Sequence, residues 1–325
     1  KGEIIMLKRN MVYGIIGVGV NKGNYNASFD KTPKANGDGV MYATPQCLQY
    51  AIRHQLQKEG YKVLYKKSSC ETGVRTLQQA FNYYTGINLA DKETDITEQQ
   101  IKKILLTDFI DVSLFGCTFT GKGNIGILGA TQINFGTNRY EDTQIIVDDI
   151  ISPFANPNES TKKKDDEDKT KSSSLGTQII ADEAHYTHSF TLNPLEYDQY
   201  KNELTDYEGF LQEDYIAFKE ASLIAVSNYN SRAKSGCQNE FSMFVELKEG
   251  VKNQINLNGL DQYIKIKKDL ETNKIIYDLS AISKILNSCK DIIESVEIYY
   301  NSFKLDIISD LENAKIFNII TRKEI

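Results

Sequence analysis

Residues 10–20 read Asn-Met-Val-Tyr-Gly-Ile-Ile-Gly-Val-Gly-Val, apolar almost throughout and rich in β-branched side chains. Such a run predicts a buried strand, and Gly14, Gly17 and Gly19 predict close approach of another part of the molecule to its backbone. A polar loop rich in Asn and Gly, 21–39, follows it. Thr44 then precedes Pro45, an N-cap before proline at the first helical position. Leu48, Ala51, Ile52 and Leu56 recur at helical spacing until Gly60 stops the helix.

Residues 66–106 are expected to be a mainly helical insert, since Val74, Leu77, Phe81 and Tyr84 keep a helical period and Thr97 caps a further run. Residues 111–119 alternate like a strand, 121–129 read as a glycine-punctuated turn, and 131–135 as a second strand. Lysines, acids and serines crowd into 155–176, which reads as a mobile low-complexity loop. Extended structure is expected again over 179–192, an amphipathic helix over 211–226, and a final strand through Phe241, Met243, Val245 and Leu247. This order, strand, helix, two strands, helix, strand, is an α+β plan of ferredoxin-like or RRM-like kind. Beyond it, Ile282, Ile285, Leu286, Ile292 and Ile293 give 255–325 the spacing of a helical C-terminal elaboration.

Composition excludes several classes. A chain of 325 residues, 40% of them hydrophobic, can bury a proper core. Its apolar stretches at 15–20 and 316–320 are far shorter than a bilayer span and no signal peptide opens it, so a cytoplasmic protein with no membrane partner is expected. Cys47, Cys70, Cys117, Cys237 and Cys289 are scattered singly, which indicates neither a disulfide framework nor a zinc site. No cofactor is implied. The net charge of −6 argues on its face against nucleic acid, yet residues 1–75 carry twelve basic side chains against five acidic ones. Residues 196–220 reverse the sign, with eight acids against two lysines, leaving the front of the chain free to meet an anion.

Two loops are candidates for holding a phosphate backbone. Ser231-Arg232-Ala233-Lys234-Ser235-Gly236 combines two cations, two hydroxyls and a glycine between the amphipathic helix and the strand after it. The same residues also suit a helix end capped by cations. Asn21-Lys22-Gly23-Asn24-Tyr25-Asn26 follows the first strand and can meet sugar and phosphate without reading sequence, or serve as an ordinary solvated turn. Gly121-Lys122-Gly123-Asn124-Ile125-Gly126 lacks the order of a phosphate loop. His185 and His188 stand three apart in a strand, on opposite faces, which disfavours joint metal ligation. His188 suits either stacking near RNA or a structural role.

Three further segments carry a resemblance. Asp111-Val112-Ser113-Leu114-Phe115-Gly116 is similar to an Asp-Val-x-Leu-Phe-Gly motif. Gly129-Ala130-Thr131-Gln132-Ile133-Asn134-Phe135-Gly136 is similar to Gly-x-x-Gln-Phe-x-Phe-Gly, and Ser231-Arg232-Ala233-Lys234 to Ser-Arg-x-Lys. In this order the chain resembles, across about 12–247, the backbone subunit of CRISPR Cascade complexes in the RAMP superfamily, most closely the type I-B branch. The resemblance implies an RRM-like palm with insertions over 1–254, helical fingers at 66–106, a thumb hairpin at 138–177, and 255–325 as a helical elaboration. It implies a non-catalytic subunit that stacks with further copies of itself along CRISPR guide RNA, beside other Cascade subunits, and meets target DNA through the guide. RNA contact is implied at Asn21, Lys22, Asn24, Asn26, Thr44, Gln49, Arg53, Asn138, Arg139, His188, Ser231, Arg232, Lys234 and Gly236. The family's helix usually carries Leu-Lys-Arg, whereas here Leu48 is followed by Gln49 and Tyr50. Two other readings compete: a metal-dependent endoribonuclease like type III relatives, using Asp148, Asp149 or the Asp165, Asp166 and Asp168 run, and a metal-binding protein using His185 and His188.

Overall fold

The computed structural model describes residues 6–71, 73–91, 93–151, 174–251 and 255–325. In chain order these form β1 (Val12–Gly23), β2 (Tyr42–Ala43), α1 (Pro45–Lys58), a small hairpin of β3 (Ser69–Cys70) and β4 (Gly73–Val74), α2 (Leu77–Thr85), α3 (Glu98–Asp108) and α4 (Ile110–Phe115). Next come β5 (Gly116–Gly121), β6 (Gly123–Leu128), β7 (Thr131–Ile133), β8 (Gly136–Asn138), β9 (Ile145–Ile151) and the long β10 (Ser174–Leu192). The chain continues through α5 (Asp198–Lys201), α6 (Gln212–Ser222), α7 (Ala225–Asn228) and β11 (Cys237–Leu247). It closes with β12 (Lys265–Lys268), β13 (Ile275–Asp278), α8 (Ser280–Ser288), β14 (Ile293–Tyr300), β15 (Leu305–Ile308) and β16 (Lys315–Asn318).

β1 occupies the middle of the principal sheet, whose order is β16-β14-β11-β1-β10-β8-β2, with β7 and β9 also paired to β10. It runs antiparallel to both neighbours, Ile15 opposing Ser189 on one side and Met243 on the other. A strand sends alternate side chains to opposite faces. Val12, Ile16, Val18 and Val20 enter a core shared with Leu48, Leu105, Leu114 and Phe218 of the helices. Tyr13 and Ile15 enter a second core with Phe241, Met243, Tyr277 and Leu286. Both faces being covered explains why the run is apolar without alternation. The glycines do what their spacing predicts: a Cβ at Gly14 would overlap the Phe190 ring and the Met243 carbonyl, one at Gly17 would press on Phe241, and one at Gly19 would occupy the place of the Glu240 carboxylate.

The predicted helix after the polar loop is α1. Thr44 caps it, its hydroxyl accepting from the Cys47 N–H at 3.3 Å, and Leu48, Ala51, Ile52 and Leu56 are buried. Thr97 caps α3 as expected, with Gln100 completing a capping box. Among the described residues no helix is long and apolar enough to cross a membrane.

Three expectations are corrected. Residues 110–115 are helical, and the strand begins only at Gly116, whose φ of 74° turns the chain from α4 into β5. The carboxylate of Asp111 is fixed from outside this segment, as an acceptor for the N–H groups of Leu64 and Tyr65, so tertiary demand overrides the local alternation. Most of 121–129 is strand rather than turn: β6 buries Ile125 and Ile127 and pairs with β5 across a tight reversal at Lys122. The largest correction concerns 255–325, which holds a single α-helix of nine residues. The rest supplies β14 and β16 to the principal sheet and a three-stranded sheet, β12-β13-β15. Ile293–Tyr300 extends because β11 needs a partner on its outer edge, Val245 meeting Val296 there. Of the region 138–177, β9 and the start of β10 form an antiparallel stem from Ile145 opposite Ala181 to Ile151 opposite Ser174. Residues 152–173, and with them Asp165, Asp166 and Asp168, lie outside the described residues.

Candidate nucleic-acid interface

The loop after β1, the start of α1 and the loop before β11 are tied together by hydrogen bonds that do not depend on any ligand. The Asn21 N–H donates to the Gly236 carbonyl at 2.9 Å and the Asn24 N–H to the Ala233 carbonyl at 2.7 Å. Lys234 reaches across to donate its ammonium to the Tyr25 carbonyl, close to the Cys47 sulfur. The Asn26 side-chain oxygen accepts from the Thr44 N–H at 2.9 Å, which locks the loop to the head of α1. Gly236 sits so close to the Asn21 carbonyl that a Cβ there would overlap it. Close approach, not an unusual backbone angle, is therefore what this glycine provides.

Within this junction the candidates divide by role. Asn24 is buried and donates to the Lys31 and Ile179 carbonyls at 3.0 and 3.3 Å. Lys22, held at φ 51°, and Arg232 are exposed cations, and the Arg232 carbonyl accepts from the Ser235 hydroxyl at 3.3 Å. Ser231 closes the same loop, its carbonyl accepting from the Lys234 N–H at 2.9 Å. Burial pushes the Cys47 thiol up despite the nearby Lys234 ammonium, so the thiol stays protonated.

Four sequence candidates belong elsewhere. Arg53 directs its guanidinium into the protein: Nε donates to Asp111 at 3.0 Å and the group lies 4.9 Å from the Phe115 ring centre. Gln49 retains a weaker link to it at 3.3 Å. Arg139 donates to Asp261 at 2.8 Å, joining β8 to the C-terminal layer. Asn138 satisfies the turn that follows, donating to the Tyr140 carbonyl and Thr143 hydroxyl while accepting from the His185 N–H. His188 is 0% exposed, bonded to the Asn134 carbonyl and the Tyr25 hydroxyl, and its burial lowers its pKa to about 4. It is a neutral core histidine, and the expectation of stacking on RNA is withdrawn for it. His185 faces the other side of the sheet, against Glu240 at 2.6 Å, so the two imidazoles are separated by the sheet as their spacing predicts.

The sequence held a signal that the motifs did not use. Residues 10–29, 39–58 and 221–239 contain no aspartate or glutamate, in a chain carrying 44 of them. These three stretches contribute β1 and its loop, all of α1, and the loop before β11, and they meet at one place. Tyr229 packs edge-on against Tyr50 and His54 of α1, with ring centres 5.4 and 5.1 Å apart. Lys58 donates to the Asn228 carbonyl at 3.2 Å and Asn228 to Gln55 at 2.9 Å. The result is a junction to which these three stretches contribute no carboxylate, with Glu59 at its far end accepting from Gln55 at 2.7 Å, and there the local field and not the net charge governs the approach of a polyanion.

A family model described as CRISPR-associated protein Cas7 matches residues 10–285. Among solved structures, a chain of a "CRISPR RNA-guided surveillance complex, pre-nicking" is 14% identical, with 95% of this chain and 96% of that chain aligned at a TM-score of 0.50. A chain of a "CRISPR RNA-guided surveillance complex" is 12% identical, with 94% of each chain aligned at a TM-score of 0.51. At such identities the likeness is one of fold, a mixed α+β architecture of several sheets and helices. No curated protein matches the sequence.

Proposed function

The chain belongs to the CRISPR-associated protein Cas7 family, and from that membership we propose that it is a non-catalytic, guide-RNA-binding backbone subunit of a type I surveillance complex. Further copies of the chain stack along the guide beside other Cascade subunits, and target DNA is met through the guide. The observation that carries this reading is the convergence of the three acid-free stretches, fastened by main-chain bonds from Asn21 to Gly236 and from Asn24 to Ala233 and by the Thr44 N–H donating to the Asn26 side chain. A guide changes sequence from spacer to spacer, so its holder must grip ribose and phosphate and leave base edges free. Exposed Lys22 and Arg232 over a rigid backbone junction suit that task. Such a complex works in the cytoplasm.

The sheet order β11-β1-β10-β8 supports an RRM-like palm, because an RRM places its fourth, first, third and second strands side by side in that sequence. The stem of β9 and β10 suits the base of a thumb, and α2 and α3 suit the fingers. Asp148 and Asp149 lie on β9, where the Thr177 hydroxyl donates to Asp149 at 3.2 Å, a cross-strand contact that favours the non-catalytic reading.

The test is RNA binding by fluorescence anisotropy over a salt series, using unrelated single-stranded sequences. Lys22→Ala and Arg232→Ala should each weaken all of them alike and lower the salt slope by ~0.7. Loss confined to one sequence contradicts the proposed grip. Regular cleavage of matched RNA with magnesium, abolished by Asp148→Ala or Asp149→Ala, would replace this reading with the endoribonuclease.

A further inference from the structure

Outside the phosphate-facing loops, α1 and the end of α7 bring together a set of rings that the grip described above leaves without a task. Tyr50, His54 and Tyr229 form an edge-to-face trio, Tyr229 in the middle, at centre distances of 5.4 and 5.1 Å and interplanar angles of 69° and 70°. Tyr50 is 37% exposed, and His54 and Tyr229 are half-buried. The edge-to-face contacts hold the rings in place while Tyr50 stays open to solvent over part of its surface. Burial, then Lys66 and Lys58, lower the His54 pKa, so it is uncharged at neutral pH, and its Nδ1 has no hydrogen-bond partner. Two cations flank the trio: Lys58 at the end of α1, anchored on the Asn228 carbonyl, and Lys66 in the segment after it, anchored on Gln57. Arg232 lies three residues beyond Tyr229. The whole of α1, 45–58, contains no carboxylate.

We propose that Tyr50, braced by Tyr229 and His54, is a stacking platform for one unpaired nucleobase of the bound RNA. The inference rests on the RNA-binding reading above and adds a contact of different chemistry. Single-strand binders combine cations that follow the backbone with rings that accept any base, since every base has a π-face, and such stacking leaves the pairing edge free. The occupant is a base and not a partner protein's side chain because the patch is continuous with the phosphate-facing junction through 228–236, and α1 itself brings Arg53 and Lys58 but no carboxylate to it. A ring contact releases no counterion, so it adds affinity without adding to the salt slope.

The experiment compares an unstructured single-stranded RNA with an abasic oligonucleotide of the same length and charge, binding each to the full chain, to Tyr50→Leu and to Tyr50→Phe. The full chain should prefer the base-bearing strand, and Tyr50→Leu should weaken that strand roughly five- to 150-fold. Abasic binding and the salt slope should not change, and Tyr50→Phe should restore the preference. Equal binding of base-bearing RNA by Tyr50→Leu and the full chain overturns the platform, as does a parallel loss for both oligonucleotides. If the full chain binds neither strand, the RNA-binding reading itself fails, an outcome distinct from failure of the platform alone.

Discussion

Asp111→Ala removes the residue that holds the inner side of α1 in place. The carboxylate is 0% exposed, accepts the N–H groups of Leu64 and Tyr65 at 2.8 and 2.9 Å, and pairs with Arg53 at 3.0 Å. Truncation strands two main-chain donors and one cation in a site with little water. Removing one partner of a buried ion pair costs about 3–5 kcal/mol, and a stranded buried donor about 1–3 kcal/mol. These losses overlap, and a net destabilisation of about 4 kcal/mol or more is expected. Arg53→Met is milder: it keeps the hydrocarbon stem near Phe115 and leaves the carboxylate its two N–H donors, so about 1–3 kcal/mol is expected. Urea midpoints at neutral pH read both. A loss below about 1 kcal/mol for Asp111→Ala, or a larger loss for Arg53→Met, refutes the ranking. The folded Arg53→Met protein should also keep the full salt slope for RNA, since its guanidinium faces the protein. A fall of ~0.7 would return Arg53 to the phosphate contacts.

Gly236→Val should lower RNA affinity for all sequences without altering any charge, because the added side chain overlaps the Asn21 carbonyl and parts the two loops; an unaffected anisotropy titration would contradict the junction. Stability should fall between about pH 6.5 and pH 9 through His185. Burial alone would lower its pKa, but Glu240 and Glu183 outweigh this and raise it to about 9. The folded state therefore holds a proton that the unfolded chain releases near its ordinary 6.5, and this contribution is complete below that value and lost as pH rises through the folded one. Its size is about 3 kcal/mol. His185→Gln should flatten that part of the urea-midpoint profile, and parallel profiles for the two proteins would rule the linkage out.

Periodicity and chain punctuation determined a good part of this protein in advance. The unbroken apolar run at 12–20 with its glycines required a strand covered on both faces, and Thr44, Pro45 and Gly60 marked the ends of α1, because these signals act within a few residues of one another. The asparagine loop and the Ser-Arg-x-Lys loop were likewise recognisable from their donors and glycines. What tertiary structure alone decided is where long-range partners sit. Asp111 pulls a strand-like segment into a helix and takes Arg53 out of the interface; His188 becomes a core residue because the Asn134 carbonyl and Tyr25 hydroxyl surround it. The C-terminal segment extends into strands because an edge of the principal sheet, built from residues some fifty positions earlier, is waiting for it. Local spacing reports what a segment can become, and the partner it meets across the fold selects which of those forms is lowest in free energy.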